Sequence, residues 1–260
     1  MHVQSWTDAE GGGAYDLAAF DHMPATRGSG ALPPSLVAVF GRESLPRTRI
    51  EVDAQQSIYE AGEEDDALYL IESGQVKLTM SSVTGQDCLL AIYAEGEVFG
   101  ESCFSNAGKR PERATAMRPT VALRVPRREF LIEIQRASAL EPLVAHLASR
   151  VTECQTALFH RVTMNAERRL AQVLLDLADK FGTPDGDYVQ VEQRISHEEL
   201  ALFVGTTRPR ITAFMQRFRR RGIVEDAGPR VIRIHRAKAL KFSLSERRIR
   251  RRGADASQRR

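Results

Sequence analysis

The chain has 260 residues, of which 42% are hydrophobic and 27% charged, with a formal net charge of +3. That length admits two domains of ordinary size, and that composition excludes global disorder and a collagen-like chain. No apolar run approaches the ~20 residues that span a bilayer, and no signal-peptide pattern opens the sequence, so a cytoplasmic protein with no membrane partner is expected. The three cysteines, Cys88, Cys103 and Cys154, fit neither a disulfide framework nor a zinc or iron–sulfur spacing, and no metal is expected. The charge is uneven. Residues 194–260 carry 19 Lys and Arg against 6 Asp and Glu, whereas residues 1–193 carry 18 against 28. A basic end behind an acidic body points to a polyanionic partner.

In chain order, residues 1–35 read as a flexible N-terminal arm, with Gly11-Gly12-Gly13, Gly28-Ser29-Gly30 and Pro33-Pro34 and little periodicity. A short helix is predicted over Leu36–Phe40. The first domain, residues 36–136, is a series of short apolar runs punctuated by Gly62, Gly74, Gly85, Gly96 and Gly100. Short strands at even spacing with turn residues between them predict an all-β barrel, sandwich or roll. After Glu141-Pro142 the period changes. Leu143, Leu147, Val151, Cys154, Leu158 and Val162 form one narrow stripe on a long helix, residues 137–164. Such a stripe suits a two-helix seam and hence a homodimer; the alternative is that it packs on its own β domain.

Residues 165–244 form a second domain. Leu170, Val173, Leu174, Leu177 and Ala178 mark a helix ending near Phe181-Gly182, and residues 182–186 read as a turn. Ser196 and Glu199 form a capping box that opens a short helix. Gly205 sits where two helices turn sharply, Thr206-Thr207 are set to cap the next, and Pro209 fits its first turn. That helix buries Ile211, Phe214, Met215 and Phe218, runs to about Arg221 and is ended by Gly222. Strands over 223–225 and 231–234, joined by Asp226-Ala227-Gly228-Pro229, complete a winged helix-turn-helix. Residues 245–260 are a basic tail.

Arg208 and Arg210 lie in the first turn of the second helix, from which a guanidinium can grip guanine O6 and N7. Arg217, Arg219, Arg220 and Arg221 are placed to meet phosphates. The predicted DNA-contacting set is Ser196, Thr206, Thr207, Arg208, Arg210 and Arg217, and the predicted partner is double-stranded DNA. A second constellation lies between Ala94 and Ala116. Gly100 permits close backbone approach, Glu101 can hold a ribose hydroxyl, Arg113 offers a paired-donor fork to a phosphate, and Ala114 and Thr115 leave room. With no P-loop, a single cyclic phosphate suits these residues better than a triphosphate.

Phe99-Gly100-Glu101, Arg113-Ala114-Thr115-Ala116, the long helix and the winged helix-turn-helix together resemble the CRP/FNR family of bacterial transcription regulators, over about residues 36–242. The resemblance implies an α+β fold: a cyclic-nucleotide-binding β-roll, a dimerisation helix and a DNA-binding domain. It implies Glu101 on the ribose 2′-hydroxyl and Arg113 on the cyclic phosphate, with Gly100, Ser102 and Thr115 supplying nearby donors. It also implies cAMP or cGMP as allosteric effector, with cAMP ahead, and RNA polymerase as a partner. The best-known cAMP receptors set a Thr-Ser pair of the dimer helix against adenine. This chain offers Thr152, Gln155 or Thr156 instead. The recognition helix has Arg208-Pro209 where Arg-Glu is familiar, so the usual half-site does not carry over. The cysteine cluster of an oxygen sensor is absent, and His146 and His160 read as surface or seam residues. No catalytic motif of an enzyme is present. The competing expectations are a constitutive or differently gated DNA-binding dimer, and an allosteric cyclic-nucleotide module acting on a protein partner.

Overall fold

The structure, a computed structural model, describes residues 32–105, 108–192, 195–228 and 231–245. Most of the expected N-terminal arm, nearly all of the basic tail, and Pro229 of the wing lie outside the described residues.

Helix α1 (Pro34–Phe40) begins with proline in its first turn. Eight strands follow: β1 (Thr48–Val52), β2 (Ser57–Tyr59), β3 (Ala67–Ser73), β4 (Gln75–Ser81), β5 (Asp87–Ala94), β6 (Val98–Phe99), β7 (Arg113–Ala116) and β8 (Thr120–Pro126). They form two antiparallel four-stranded sheets, ordered β1-β8-β3-β6 and β2-β7-β4-β5. The strands alternate as half-buried strands must: in β4, Val76 and Leu78 point into the core while Lys77 and Thr79 point away. Tyr59, Tyr69, Tyr93 and Phe99 fill the roll, with the Tyr69 and Phe99 rings stacked at 5.0 Å.

Helices α2 (Arg127–Arg136) and α3 (Leu140–Thr163) leave the roll. The apolar stripe of α3 divides. Leu143 is buried with Leu36, Phe40 and Phe130, and Leu147 packs against the same cluster. Leu140, Val144, Val151, Leu158 and Val162 stay exposed.

The second unit contains α4 (Ala166–Phe181), β9 (Thr183–Asp185), β10 (Tyr188–Glu192), α5 (His197–Val204), α6 (Arg208–Arg220), β11 (Val224–Gly228), β12 (Val231–His235) and α7 (Arg236–Leu244). One sheet, β11-β12-β10-β9, backs the helices. Asn165 caps α4 by accepting from the N–H groups of Glu167 and Arg168. The expected turn over 182–186 is corrected: Thr183–Asp185 pairs with Tyr188–Gln190 as a strand, and its proline is tolerated because β9 is an edge. The capping box on α5 has both of its hydrogen bonds. Gly205 turns the chain at φ +71°. The expected cap from Thr206-Thr207 is also corrected. Thr207 stands at the N-cap of α6 but its hydroxyl caps nothing, and the Thr206 hydroxyl is buried without a partner. Pro209, in the first turn, removes one of the N–H donors that such a cap would serve.

The second unit docks on the roll. Leu89 and Ile92 of β5 join its hydrophobic core. Lys77 of β4 pairs with Glu199 of α5 at 2.7 Å, and Lys180 of α4 pairs with Glu97 at 2.6 Å. Burial works against the Glu199 carboxylate, but the Lys77 hydrogen bond overrides it and holds its pKa below the ordinary value. Glu199 therefore serves the helix cap and the docking contact at once. Glu199→Ala is expected to lower stability by about 1–2 kcal/mol, and Lys77→Ala, which leaves the cap intact, by less; urea denaturation of the two variants measures both.

Candidate effector cavity and nucleic-acid interface

A cavity of about 860 Å³ runs between β4–β5, α3 and α4. Its roll end holds Tyr93, Glu101, Ser102, Glu112 and Arg150, and its far end Arg161, Arg169, Asp176 and Phe203. Leu78, Leu89, Leu147 and Leu158 lie along its length. At the roll end Gly100 has φ +91°, and a Cβ there would lie 3.0 Å from the Ala67 carbonyl and 3.4 Å from Arg110 Nη1. This lets the single 3-10 turn Glu101–Phe104 sit tight against β3.

Arg110, fully buried, organises this corner. Its Nε donates to Asp65 Oδ2 at 3.2 Å, Nη1 donates to the Gly100 carbonyl at 2.7 Å and to Ser102 Oγ at 2.9 Å, and Nη2 donates to Asp65 Oδ2 at 2.6 Å and to the Ala67 carbonyl. These bonds use all five guanidinium N–H groups. Its plane lies 4.4 Å from the centre of the Tyr59 ring. Burial opposes its charge, but the hydrogen bond to Asp65 and the neighbouring negative groups raise its pKa. Asp65 shows the converse: burial would raise its pKa, but bonds from Arg110 and Arg124 hold it below the usual carboxylate value.

Glu112 is buried beside this group. Its Oε1 accepts from Ser102 Oγ at 2.8 Å and from the Tyr59 hydroxyl at 2.9 Å. Burial, and after it the Glu112 carboxylate, raise the Tyr59 pKa far above that of a free phenol. Glu101 Oε1 lies 3.4 Å from Arg150 Nε and 3.5 Å from His146 Nε2, and neither approach makes a hydrogen bond. Arg150 also donates to the Tyr93 hydroxyl and pairs with Glu153. Towards the other end, burial pushes the Asp176 carboxyl up to about 7.

The expected effector residues are only partly gathered here. Glu101, Ser102 and Gln155 line the cavity, and Gly100 shapes its roll end. Arg113 does not line it. β7 alternates, so with Ala114 packed into the roll core Arg113 faces out, half exposed and paired with Glu60 at 2.5 Å. Thr115 sits outside the cavity in register with Ser57 and Lys77. Thr152 and Thr156 turn their hydroxyls back onto helix carbonyls, of Ala148 and Thr152, and are not among the lining residues. His146 is buried against Glu101 rather than on the surface. The sequence reading missed Arg110, Glu112, Tyr59 and Arg150. Glu112 stands at a bend one residue before β7, so no strand period marks it in the sequence. No cluster of three or more His, Cys, Asp or Glu side chains suited to a metal exists among the described residues, and none of their helices is long and apolar enough to cross a membrane.

At the other end of the molecule, Thr207, Arg208, Pro209 and Arg210 are exposed at the start of α6, while Ile211, Phe214, Met215 and Phe218 are buried beneath them. The Arg208 guanidinium has no ion-pair partner among the described residues, and that of Arg210 lies 5.7 Å from the Phe214 ring centre. Arg161 Nη1 is within 3.5 Å of where a Cβ on Gly205 would stand. Burial, and then the charges of Arg161 and Arg210, lower the Arg169 pKa, so positive charge is concentrated at this helix start. Ser196 is engaged in its capping box. Arg217 pairs with Glu167 of α4 at 2.8 Å, which ties it to its own domain. Arg219 is likewise held, by both carboxylate oxygens of Asp226 at 2.9 Å.

Residues 49–137 match the family model of the cyclic nucleotide-binding domain, and residues 168–242 that of the Crp-like helix-turn-helix domain. The CRP-like cAMP-activated global transcriptional regulator of Mycobacterium tuberculosis is 28% identical over 202 residues, covering 76% of this chain and 88% of the relative. The cyclic AMP receptor protein of Thermus thermophilus is 32% identical over 188 residues, covering 70% and 82%. Among solved structures, a CooA mutant from Carboxydothermus hydrogenoformans superposes with a TM-score of 0.69 at 22% identity, covering 83% of this chain and 99% of that one, which shows the fold. A CRP-family transcriptional regulator of Thermus thermophilus superposes with a TM-score of 0.59 at 26% identity, covering 75% and 95%.

The Arg110–Asp65 pair is the most consequential for folding. Asp65→Asn is expected to lose about 3–5 kcal/mol in urea denaturation at neutral pH, because it leaves a buried guanidinium without its counter-charge. Since the native carboxyl titrates below its unfolded value, the wild type keeps this contribution above about pH 4 and loses it as pH falls further. The gap between wild type and Asp65→Asn should therefore narrow in acid.

Proposed function

Because the chain belongs to the CRP/FNR family of transcription regulators, we propose that it is a homodimer that binds a two-fold-related site in double-stranded DNA through α6, under control of a small effector in the cavity between the roll and α3. The observation that carries this reading is the free leading end of α6. Arg208 and Arg210 stand exposed on a helix whose opposite face is buried, and that is the end a recognition helix presents to base edges. Thr207, exposed beside them, supplies a hydroxyl at the same turn. Arg217 and Ser196 are assigned to holding the helices in place.

The homodimer is supported by α3. Val144, Val151 and Leu158 are seven residues apart and exposed; Leu147 packs on its own domain, but Leu140 and Cys154, seven residues to either side of it on the complementary heptad position, are exposed. A second copy of the helix would cover them. One cavity borders the roll, α3, and α4 and α5 of the DNA-binding unit, so a ligand in it touches every part that must move. It can shift the spacing of the two α6 helices towards the ~34 Å repeat of the major groove only by its differential affinity for the two arrangements.

A cyclic nucleotide is the effector class favoured by the matching domain family and by the two relatives named for cAMP, with cAMP placed ahead of cGMP. Glu101 would serve the ribose and Gln155 the base. The phosphate would need a cation, and Arg113, expected there, faces out towards Glu60 while Arg110 stands behind Ser102 and outside the lining. That requirement favours a second reading, in which the same dimer is gated by a different effector. RNA polymerase is the proposed partner once the dimer is on DNA.

Arg208→Ala is expected to weaken specific binding by about 1–3 kcal/mol and to flatten base preference at one position of each half-site, as read by mobility shift over a panel of duplexes. Wild-type specificity in that variant would remove Arg208 from the interface. Val151→Glu is expected to shift sedimentation from dimer to monomer and to abolish specific DNA binding with it.

A further inference from the structure

We propose that Glu112 is a specificity-determining residue of the effector cavity, an internal anion that holds the donors an anionic ligand would need. The inference rests on reading the cavity as the effector site. Ser102 and Glu112 line the roll end, and behind them stand the Tyr59 hydroxyl and the Arg110 guanidinium, so three groups there could donate to an anion once Glu112 moved aside. Both hydroxyls donate to Glu112 Oε1. The guanidinium spends its five N–H groups on Asp65, Ala67, Gly100 and Ser102, and the Ser102 oxygen that accepts from Arg110 belongs to the same hydroxyl that donates to Glu112. The chain Arg110–Ser102–Glu112–Tyr59 is therefore satisfied in itself.

An anion arriving here meets two carboxylates, Glu101 and Glu112, and no unengaged donor in that chain. The nearest further cation, Arg150, gives one N–H to Glu153 and one to Tyr93, and its Nε lies 3.4 Å from Glu101. In such a buried setting like charges repel strongly, and a donor cannot be taken from one acceptor without replacing it. Glu112 thus lowers the affinity of the cavity for any phosphate and tilts it towards ligands that carry none. A cyclic nucleotide gains the Ser102 and Tyr59 hydroxyls as phosphate contacts only by displacing this side chain.

The test is calorimetric titration of cAMP and of cGMP into the full-length protein as wild type, Glu112→Ser and Glu112→Gln. Glu112→Ser removes both the charge and the bulk. Glu112→Gln keeps the shape and an acceptor for Ser102 and Tyr59, so it retains the local fold should the serine variant not. We expect at least one nucleotide to bind Glu112→Ser ten times or more tightly than wild type, with Glu112→Gln between them. If wild type matches the variants in affinity, or if none of the three binds either nucleotide, Glu112 is not the determinant. Mobility shift on the same preparations separates this from the wider reading. Loss of DNA binding by the wild type would overturn the regulator proposal and leave the Glu112 result standing, whereas unchanged affinities with intact DNA binding would overturn only the role of Glu112.

Discussion

The buried guanidinium of Arg110 is the constraint around which the roll end of the cavity is built. An ion taken out of water must find charge and hydrogen bonds inside, and a guanidinium demands five acceptors in fixed directions. Asp65 supplies the charge, and the carbonyls of Ala67 and Gly100 and the hydroxyl of Ser102 supply the rest. Meeting that demand fixes the backbone. Gly100 must take a positive φ and approach β3 without a side chain, and the 3-10 turn after it must present Ser102 inward. The positions of Glu101 and Glu112 follow. The chemistry of the cavity is thus set by a residue that turns its charge away from the cavity, towards Asp65.

The same corner is mechanically joined to the DNA-binding unit. Glu101 sits against His146 and Arg150 of α3, while β5, which forms another wall of the cavity, lends Leu89 and Ile92 to the core of the winged unit. Lys77–Glu199 and Lys180–Glu97 fasten that unit to the roll, and both are sheltered enough to be screened little by salt. α3, β5 and α5 all border the cavity, so under the proposed gating one ligand would bear on all three.

The parts that were legible in the sequence are those whose cause is local. The capping box at Ser196, the glycine turn at Gly205 and the apolar face of α6 each rest on residues within a turn or two of one another, and the winged helix-turn-helix follows from their order. The strand alternation of β4 is of the same kind. What was misread turns on pairing and on which way a side chain faces, and residue type shows neither. Thr183–Asp185 looks like a turn until β10 is present to pair with it. Arg113 matched a motif by its neighbours, but the period of two in β7 places Ala114 inside and Arg113 outside. His146 reads as a seam residue because nothing near it in sequence reveals Glu101, 45 positions earlier.

The arginines of α6 show why charge alone does not locate a nucleic-acid contact. Arg208, Arg210, Arg217, Arg219 and Arg220 share one short helix and read alike in composition. Their environments separate them. Glu167 reaches Arg217 from α4 and Asp226 reaches Arg219 from the wing, so both are bound to the protein before DNA arrives, and any phosphate would compete with a carboxylate already in place. At the helix start, among the described residues, no ion pair holds Arg208 or Arg210. There Arg208 and Arg210 stand beside the positive end of the α6 macrodipole, near Arg161 and Arg169, where like charges discourage intramolecular pairing and a polyanion is the partner that relieves them. Carboxylates thus hold Arg217 and Arg219, and among the described residues the exposed arginines of α6 without an ion pair are Arg208 and Arg210 in the first turn and Arg220 in the last.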